Sequence, residues 1–142
     1  MKNHISSLLV ALAALCASPA TQAQVAVVVG AKSPASALNA EQAANLFLGK
    51  SAQLPGAGNA VLIDQAESAA VRDQFYTKVA GKSAAQVKAA WSRLVFSGKA
   101  TPPKEVANSA EVKKLVAANP DAVGYIEKSA VDATVKVLLA VD

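Results

Sequence analysis

The stretch Leu38-Asn39-Ala40-Glu41-Gln42-Ala43-Ala44-Asn45-Leu46-Phe47-Leu48-Gly49-Lys50 encodes a helix with both ends marked. Asn39 is placed to cap it, and Gln42 can return the bond in a variant of the capping box. Leu38 with Ala43 forms a weak hydrophobic staple, and Gly49 ends the helix. Before it, residues 25 to 29 are a continuous β-branched and small run stopped by Gly30, the pattern of a strand buried on both faces. Polar residues 31 to 37 join the two.

The alternation continues outward from this pair. After a Pro-Gly loop at residues 55 to 58, Val61-Leu62-Ile63 reads as a second buried strand that ends at Asp64. A helix is predicted from about Ser68 to Val79, because Val71, Phe75 and Val79 recur every four residues and lay one apolar stripe on the sheet. Ser83 and Gln86 form a capping box for the next helix, where Val87, Ala90, Trp91, Leu94 and Val95 make the strongest helical face before Gly98 closes it. Thr101-Pro102-Pro103 has to be a turn or an extended segment, and residues 104 to 107 add a short edge strand. Asn108 or Ser109 caps a helix with Val112, Leu115 and Val116 facing inward, which Asn119-Pro120 stops. Residues 123 to 126 and 134 to 141 are the last strands. The pattern predicts an α/β sandwich around a largely buried, mixed sheet, with Val27, Leu62, Phe75, Trp91, Leu94, Leu115 and Tyr125 in its interior.

Residues 1 to 23 read as a cleavable export signal. Lys2 supplies the positive start, residues 5 to 15 form an apolar run broken only by two serines, and Thr21-Gln22-Ala23 offers small residues at the −3 and −1 positions. Cleavage after Ala20 is the alternative. A run of about 11 residues falls well short of the roughly 20 that cross a bilayer, which argues against an anchor. Leu15 before Cys16 is too large for a lipidation site, so no membrane anchor is expected after cleavage.

Removing 23 of the 142 residues leaves 119, with 13 basic and 10 acidic side chains and a net charge of +3. So mild an excess, spread without a basic run, excludes a nucleic-acid surface and suits attraction of small anions. The chain's one Cys and one His both lie in the removed segment. Zinc sites built on those residues, Ser-His-Asp catalysis and thiol catalysis are thereby excluded from the mature chain, and no cofactor or metal is expected. One domain is expected, because a chain of this size buries about two-thirds of its unfolded surface and needs no disulfide to hold a core.

The order of Val-rich strand, Ser-Pro segment, Leu-Asn-Ala-Glu-Gln helix ending in Leu46-Phe47-Leu48-Gly49-Lys50, strand, Ser68 helix with Phe75-Tyr76, and finally Asn119-Pro120-Asp121-Ala122-Val123-Gly124-Tyr125-Ile126 resembles the second lobe of the phosphate-binding proteins of ABC transporters. The resemblance spans nearly all of the mature chain. It implies a single three-layer lobe of the type II periplasmic-binding-protein-like fold, with about five strands and helices on both faces. It also implies that the first lobe, whose Gly-Ser-Thr loop donates to the ligand, is missing. That family typically places an Arg after the strand and a Ser-Gly-Thr at the next helix start. Here Asp64-Gln65-Ala66-Glu67-Ser68-Ala69-Ala70 keeps only the Ser.

A place for a small anion survives at this helix start. With Ser68 as N-cap, the free amides of Ala69, Ala70 and Val71 and the positive end of the helix dipole face outward at the end of a strand, and Arg72 sits in the first turn. A cation there opposes the dipole unless a negative partner compensates; a bound anion is one such partner, and Asp64 or Glu67 is the structural alternative. The expected ligand site is therefore Asp64, Ser68, Ala69, Ala70 and Arg72. Asp64 and Glu67 lack a nucleophile or third group that would make them a catalytic pair. Trp91, Phe75, Phe96 and Tyr76 offer a stacking platform in principle, but Trp91 and Phe75 fall on core stripes. Lys113-Lys114 reads as a solvated helix face.

Three functions follow in order. The first is an exported, periplasmic solute-binding-like protein contacting phosphate or another small oxyanion weakly, between this lobe and a partner surface. The second is a periplasmic protein-interaction or regulatory module that docks a periplasmic or membrane protein and holds no small ligand. An enzyme ranks third, since the residue inventory supplies no mechanism.

Overall fold

The computed structural model describes residues 24 to 142. The predicted export signal lies outside the described residues. In chain order the elements are β1 (Val25–Gly30), α1 (Ala40–Phe47), β2 (Gln53–Leu54), β3 (Gly58–Asn59), β4 (Val61–Gln65), α2 (Ala70–Phe75) running into a π-helical turn (Tyr76–Ala80), α3 (Ala84–Phe96), β5 (Lys104–Val106), α4 (Ser109–Ala118), β6 (Ala122–Glu127), a 3-10 turn (Lys128–Ala130) and β7 (Val135–Val141).

All six residues of β1 are buried, as the unbroken Val-rich run requires, because its two faces meet different cores. Val25, Val27 and Val29 point toward α1, α2 and α3 and pack with Phe47, Phe75 and Tyr125. Ala26 and Val28 point the other way, into a smaller core with Val112 and Val116 of α4 and Ile126 of β6. Helices thus cover both faces of a five-stranded sheet ordered β5-β4-β6-β1-β7. β4 runs parallel to β5 and β6, whereas β1 is antiparallel to β6 and β7, so the sheet is mixed. The Pro-Gly segment forms the turn of the small β2–β3 hairpin, which the sequence pattern does not resolve as strands.

The caps follow the sequence. Asn39 accepts from the Gln42 amide at 2.8 Å while Gln42 accepts from the Asn39 amide at 2.9 Å, and Ser83 with Gln86 repeats the arrangement. Asn108, rather than Ser109, caps α4. Gly49 follows α1 with φ +74°, a left-handed conformation that favours glycine. Gly124 allows α4 to lie close on the sheet: a Cβ there would stand 2.5 Å from Val112 Cγ1.

Four expectations change. The helix predicted from Ser68 to Val79 begins at Ala70 with Ala69 as its N-cap, because a turn closed by Ala69 N–H to the Ala66 carbonyl takes up Glu67 and Ser68 first. It then widens into the π-helical turn at Tyr76. Phe75 and Tyr76, adjacent in sequence, are both fully buried there, and Val71 and Val79 of the expected stripe stay inside. On α3, Val87 and Trp91 are buried, but Leu94 is only half-buried, Val95 is 44% exposed and Phe96 97% exposed. The end of that helix runs past the packed layer. Leu62 and Leu115 are also half-buried rather than interior. Lys113 is not simply solvated: its Nζ donates to the Ala130 carbonyl and to Asp132.

Candidate functional site

The end of β4 carries polar residues into the interior. Asp64 and Gln65 are both buried there, and a buried carboxylate is sustainable only if it is hydrogen-bonded. Its partners come from three elements. Asp64 Oδ1 accepts from the Gln65 amide at 2.8 Å and from the Tyr125 hydroxyl of β6; Oδ2 accepts from the Tyr76 hydroxyl of the π-helical turn at 2.7 Å. Gln65 Nε2 donates to the Tyr125 carbonyl at 2.9 Å and to Ser109 Oγ at 3.1 Å, tying β4 to β6 and α4. Phe75 stacks on Tyr125 at 4.2 Å between centroids and meets Phe47 edge-on at 4.9 Å, so the hydroxyls are held by packed rings.

Arg72 reaches into this cluster from α2. It is 7% exposed; Nη1 donates to the Gln65 carbonyl at 2.9 Å and lies 3.9 Å from Asp64 Oδ2 and 3.8 Å from Glu105 Oε2 of β5. Its buried Nε has no hydrogen-bond partner among the described residues. Burial disfavours the guanidinium charge, yet Asp64, followed by the two tyrosines and Glu105, outweighs it and holds the Arg72 pKa above its ordinary value. A cavity of about 520 Å³ opens beside Arg72, with Asp64, Glu67, Glu105, Trp91 and Phe96 also on its wall.

The structure brings together Asp64 and Arg72 among the expected site residues. Ser68 is exposed in the turn and is not the helix cap, and neither it nor Ala69 and Ala70 line the cavity. The Ala69 amide is not free, being committed to Ala66. Of the two carboxylates weighed against Arg72, Asp64 is the partner, joined by Glu105 from the edge strand. Sequence reading did not place Gln65, Tyr76, Tyr125 or Glu105 at the site. The chain holds two tyrosines, and both hydroxyls converge on one carboxylate, a juxtaposition that linear spacing does not reveal.

Both phenols have their pKa pushed far above the ordinary range, first by burial and then by the Asp64 charge. Above about pH 10 the unfolded chain loses phenol protons that the folded chain keeps, so the unfolded state binds fewer protons and stability falls. The tyrosines' contribution is intact below that pH and should decline by roughly 1.4 kcal/mol per pH unit for each ring above it. An absorbance titration should show no tyrosinate near pH 10 while the protein is folded, then its appearance together with unfolding. Independent ionisation near pH 10 would place the hydroxyls in water.

No protein-family model and no curated protein matches the chain. Solved structures do. A protein assigned as a phosphate ABC transporter substrate-binding protein from Clostridium perfringens, solved with bound phosphate, aligns over 82% of this chain and 45% of its own, with TM-score 0.65 and 22% identity. An ABC-type phosphate transport receptor from Vibrio cholerae aligns over 82% and 46%, with TM-score 0.63 and 21% identity. The Borrelia burgdorferi protein PstS gives 82% and 47%, with TM-score 0.58 and 14% identity. This chain spans less than half the length of each. With its mixed five-stranded sheet and helices on both faces, the chain shares the fold of the part of these substrate-binding proteins that it matches.

Proposed function

We propose that this is an exported, periplasmic, non-enzymatic solute-binding-like protein that contacts phosphate or another small oxyanion weakly. The observation that supports it is the guanidinium of Arg72, a residue on the wall of an open cavity, whose buried Nε has no partner among the described residues. An arginine offers an oxyanion several donors in a fixed fork, and Nε is one that the protein leaves unspent. Asp64 holds Arg72 in place, whereas Ser68 and Ala70 lie off the cavity wall. The likeness to proteins named for phosphate points to the same ligand class. Affinity should be no better than about micromolar to millimolar, since Asp64, Glu67 and Glu105 oppose an anion and the open cavity leaves charge contacts screened by solvent.

Calorimetric titration of residues 24 to 142 with phosphate, sulfate and carboxylates tests this. Arg72→Ala should weaken binding by about 1.5 to 3 kcal/mol, whereas Ser68→Ala and Lys114→Ala should leave it unchanged. Tight binding untouched by Arg72→Ala would move the ligand elsewhere. The natural alternative is the cavity of about 610 Å³ at the start of β4, where Lys99 and Lys104 line the wall without a carboxylate.

A second reading is a periplasmic interaction module. Phe96, 97% exposed beside the half-exposed Val95 on the rim of the Arg72 cavity, favours it. Silence toward every anion, with a protein partner recovered by pull-down and lost on Phe96→Ser, would select this reading. The same titrations, run on the exported form, would be accompanied by mass spectrometry; the expected mature chain begins at Gln24, and a lipidated product starting at Cys16 would overturn the export assignment.

A further inference from the structure

We infer that Asp64 is an internal ligand, its carboxylate occupying a donor cradle whose chemistry suits a small free carboxylate or oxyanion. The inference takes its ligand class from the proposed anion contact and rests on that reading for this alone.

The donors around Asp64 are those of an anion site. Two hydroxyls, from Tyr76 and Tyr125, and one backbone amide, from Gln65, converge on its two oxygens, with a guanidinium 3.9 Å away. Three neutral donors and a cation match what oxyanions require. They are carried by β4, the π-helical turn and β6, three separate elements, so their convergence is set by the tertiary fold. Rotation is restricted too, because Tyr125 lies flat on Phe75, and Tyr76 meets the same ring edge-on at 5.1 Å.

The contact with Arg72 does not read as a tight ion pair that exists for its own sake. At 3.9 Å it is long for a charge-assisted hydrogen bond, the same nitrogen is directed to the Gln65 carbonyl at 2.9 Å, and Nε is empty. The neutral donors therefore do most of the holding of the carboxylate. A carboxylate supplied by the chain has no association entropy to lose, whereas a free anion must lose it on binding, so Asp64 outcompetes a dilute ligand for the cradle. Because Asp64 and Arg72 both face the 520 Å³ cavity, removal of the carboxylate would leave a vacancy open to solutes.

Asp64→Ala and Asp64→Ser each vacate the cradle, and thermal denaturation of the full mature chain in formate, acetate and phosphate reads its filling, with chloride at equal ionic strength as control. Formate, the size of the deleted group, should stabilise both variants saturably; at ten times its dissociation constant the folded-to-unfolded ratio rises about elevenfold. Wild type should show a clearly smaller formate response. Asp64→Asn, which refills the position with an amide, should respond as little. The inference is overturned if formate stabilises the Ala and Ser variants no more than wild type. It is equally overturned if neither variant folds with formate present, because a fillable cradle would be filled. Phosphate binding by wild type is a separate readout: a silent wild type with formate-responsive variants rejects the proposed function and keeps this inference, and the opposite pattern does the reverse.

Discussion

Trp91→Ala is expected to remove about 3 to 5 kcal/mol of folding stability. Trp91 is 8% exposed, packs in the larger core, and donates from Nε1 to the Phe47 carbonyl at 2.8 Å. That bond ties α3 to the last residue of α1. Truncation therefore leaves a cavity between two helices and an acceptor without its donor. The loss is a large share of the 5 to 15 kcal/mol typical of a domain. Since the chain has a single Trp, the measurement is urea denaturation followed by circular dichroism, with an unchanged m-value confirming that the native state itself has been weakened. Trp91→Phe, keeping much of the ring but not the N–H, should cost less. A loss well under 1 kcal/mol for Trp91→Ala would instead mark the indole as a surface available for stacking a ligand.

An effect of similar size is expected at Asp64, for a different physical reason. In anion-free buffer Asp64→Ala strips the acceptor from two buried hydroxyls and the buried one of the two counter-charges from Arg72, and each unsatisfied buried donor costs about 1 to 3 kcal/mol. A total near 3 to 5 kcal/mol follows, in line with removing one partner of a buried pair. Arg72→Met should cost clearly less, because Asp64 would keep Tyr76, Tyr125 and the Gln65 amide. A double-mutant cycle between the two separates their coupling from cavity effects. Equal losses for the two single variants would mean that the Asp64–Arg72 contact, and not the hydroxyl cradle, dominates.

The two sites also differ in how far they can be read along the chain. Trp91 announces itself, since Val87 and Trp91 lie four apart on a capped helix, and burial of both follows from helical periodicity. The same periodicity overreaches at Val95 and Phe96, because it reports which face is apolar and not how far the layer beneath extends. At Ser68 the local signal is a good cap residue, yet a backbone turn ending at Ala69 moves the helix start by two residues. Cap chemistry ranks candidates over a few positions; the turn that precedes the helix chooses among them.

Features that depend on near neighbours along the chain were legible without the fold. The β-branched run of β1, the capping boxes at Asn39 and Ser83 and the stop at Gly49 are local, and with the alternation of strands and helices they sufficed for a mixed α/β lobe. Tertiary structure alone decided the polar cluster. Asp64 meets Tyr76 across 12 positions and Tyr125 across 61, and those separations are closed only when β6 pairs beside β4 and the π-helical turn folds Tyr76 inward. No periodicity encodes such a meeting, because it is the sheet order β5-β4-β6 that sets one carboxylate among donors from three elements.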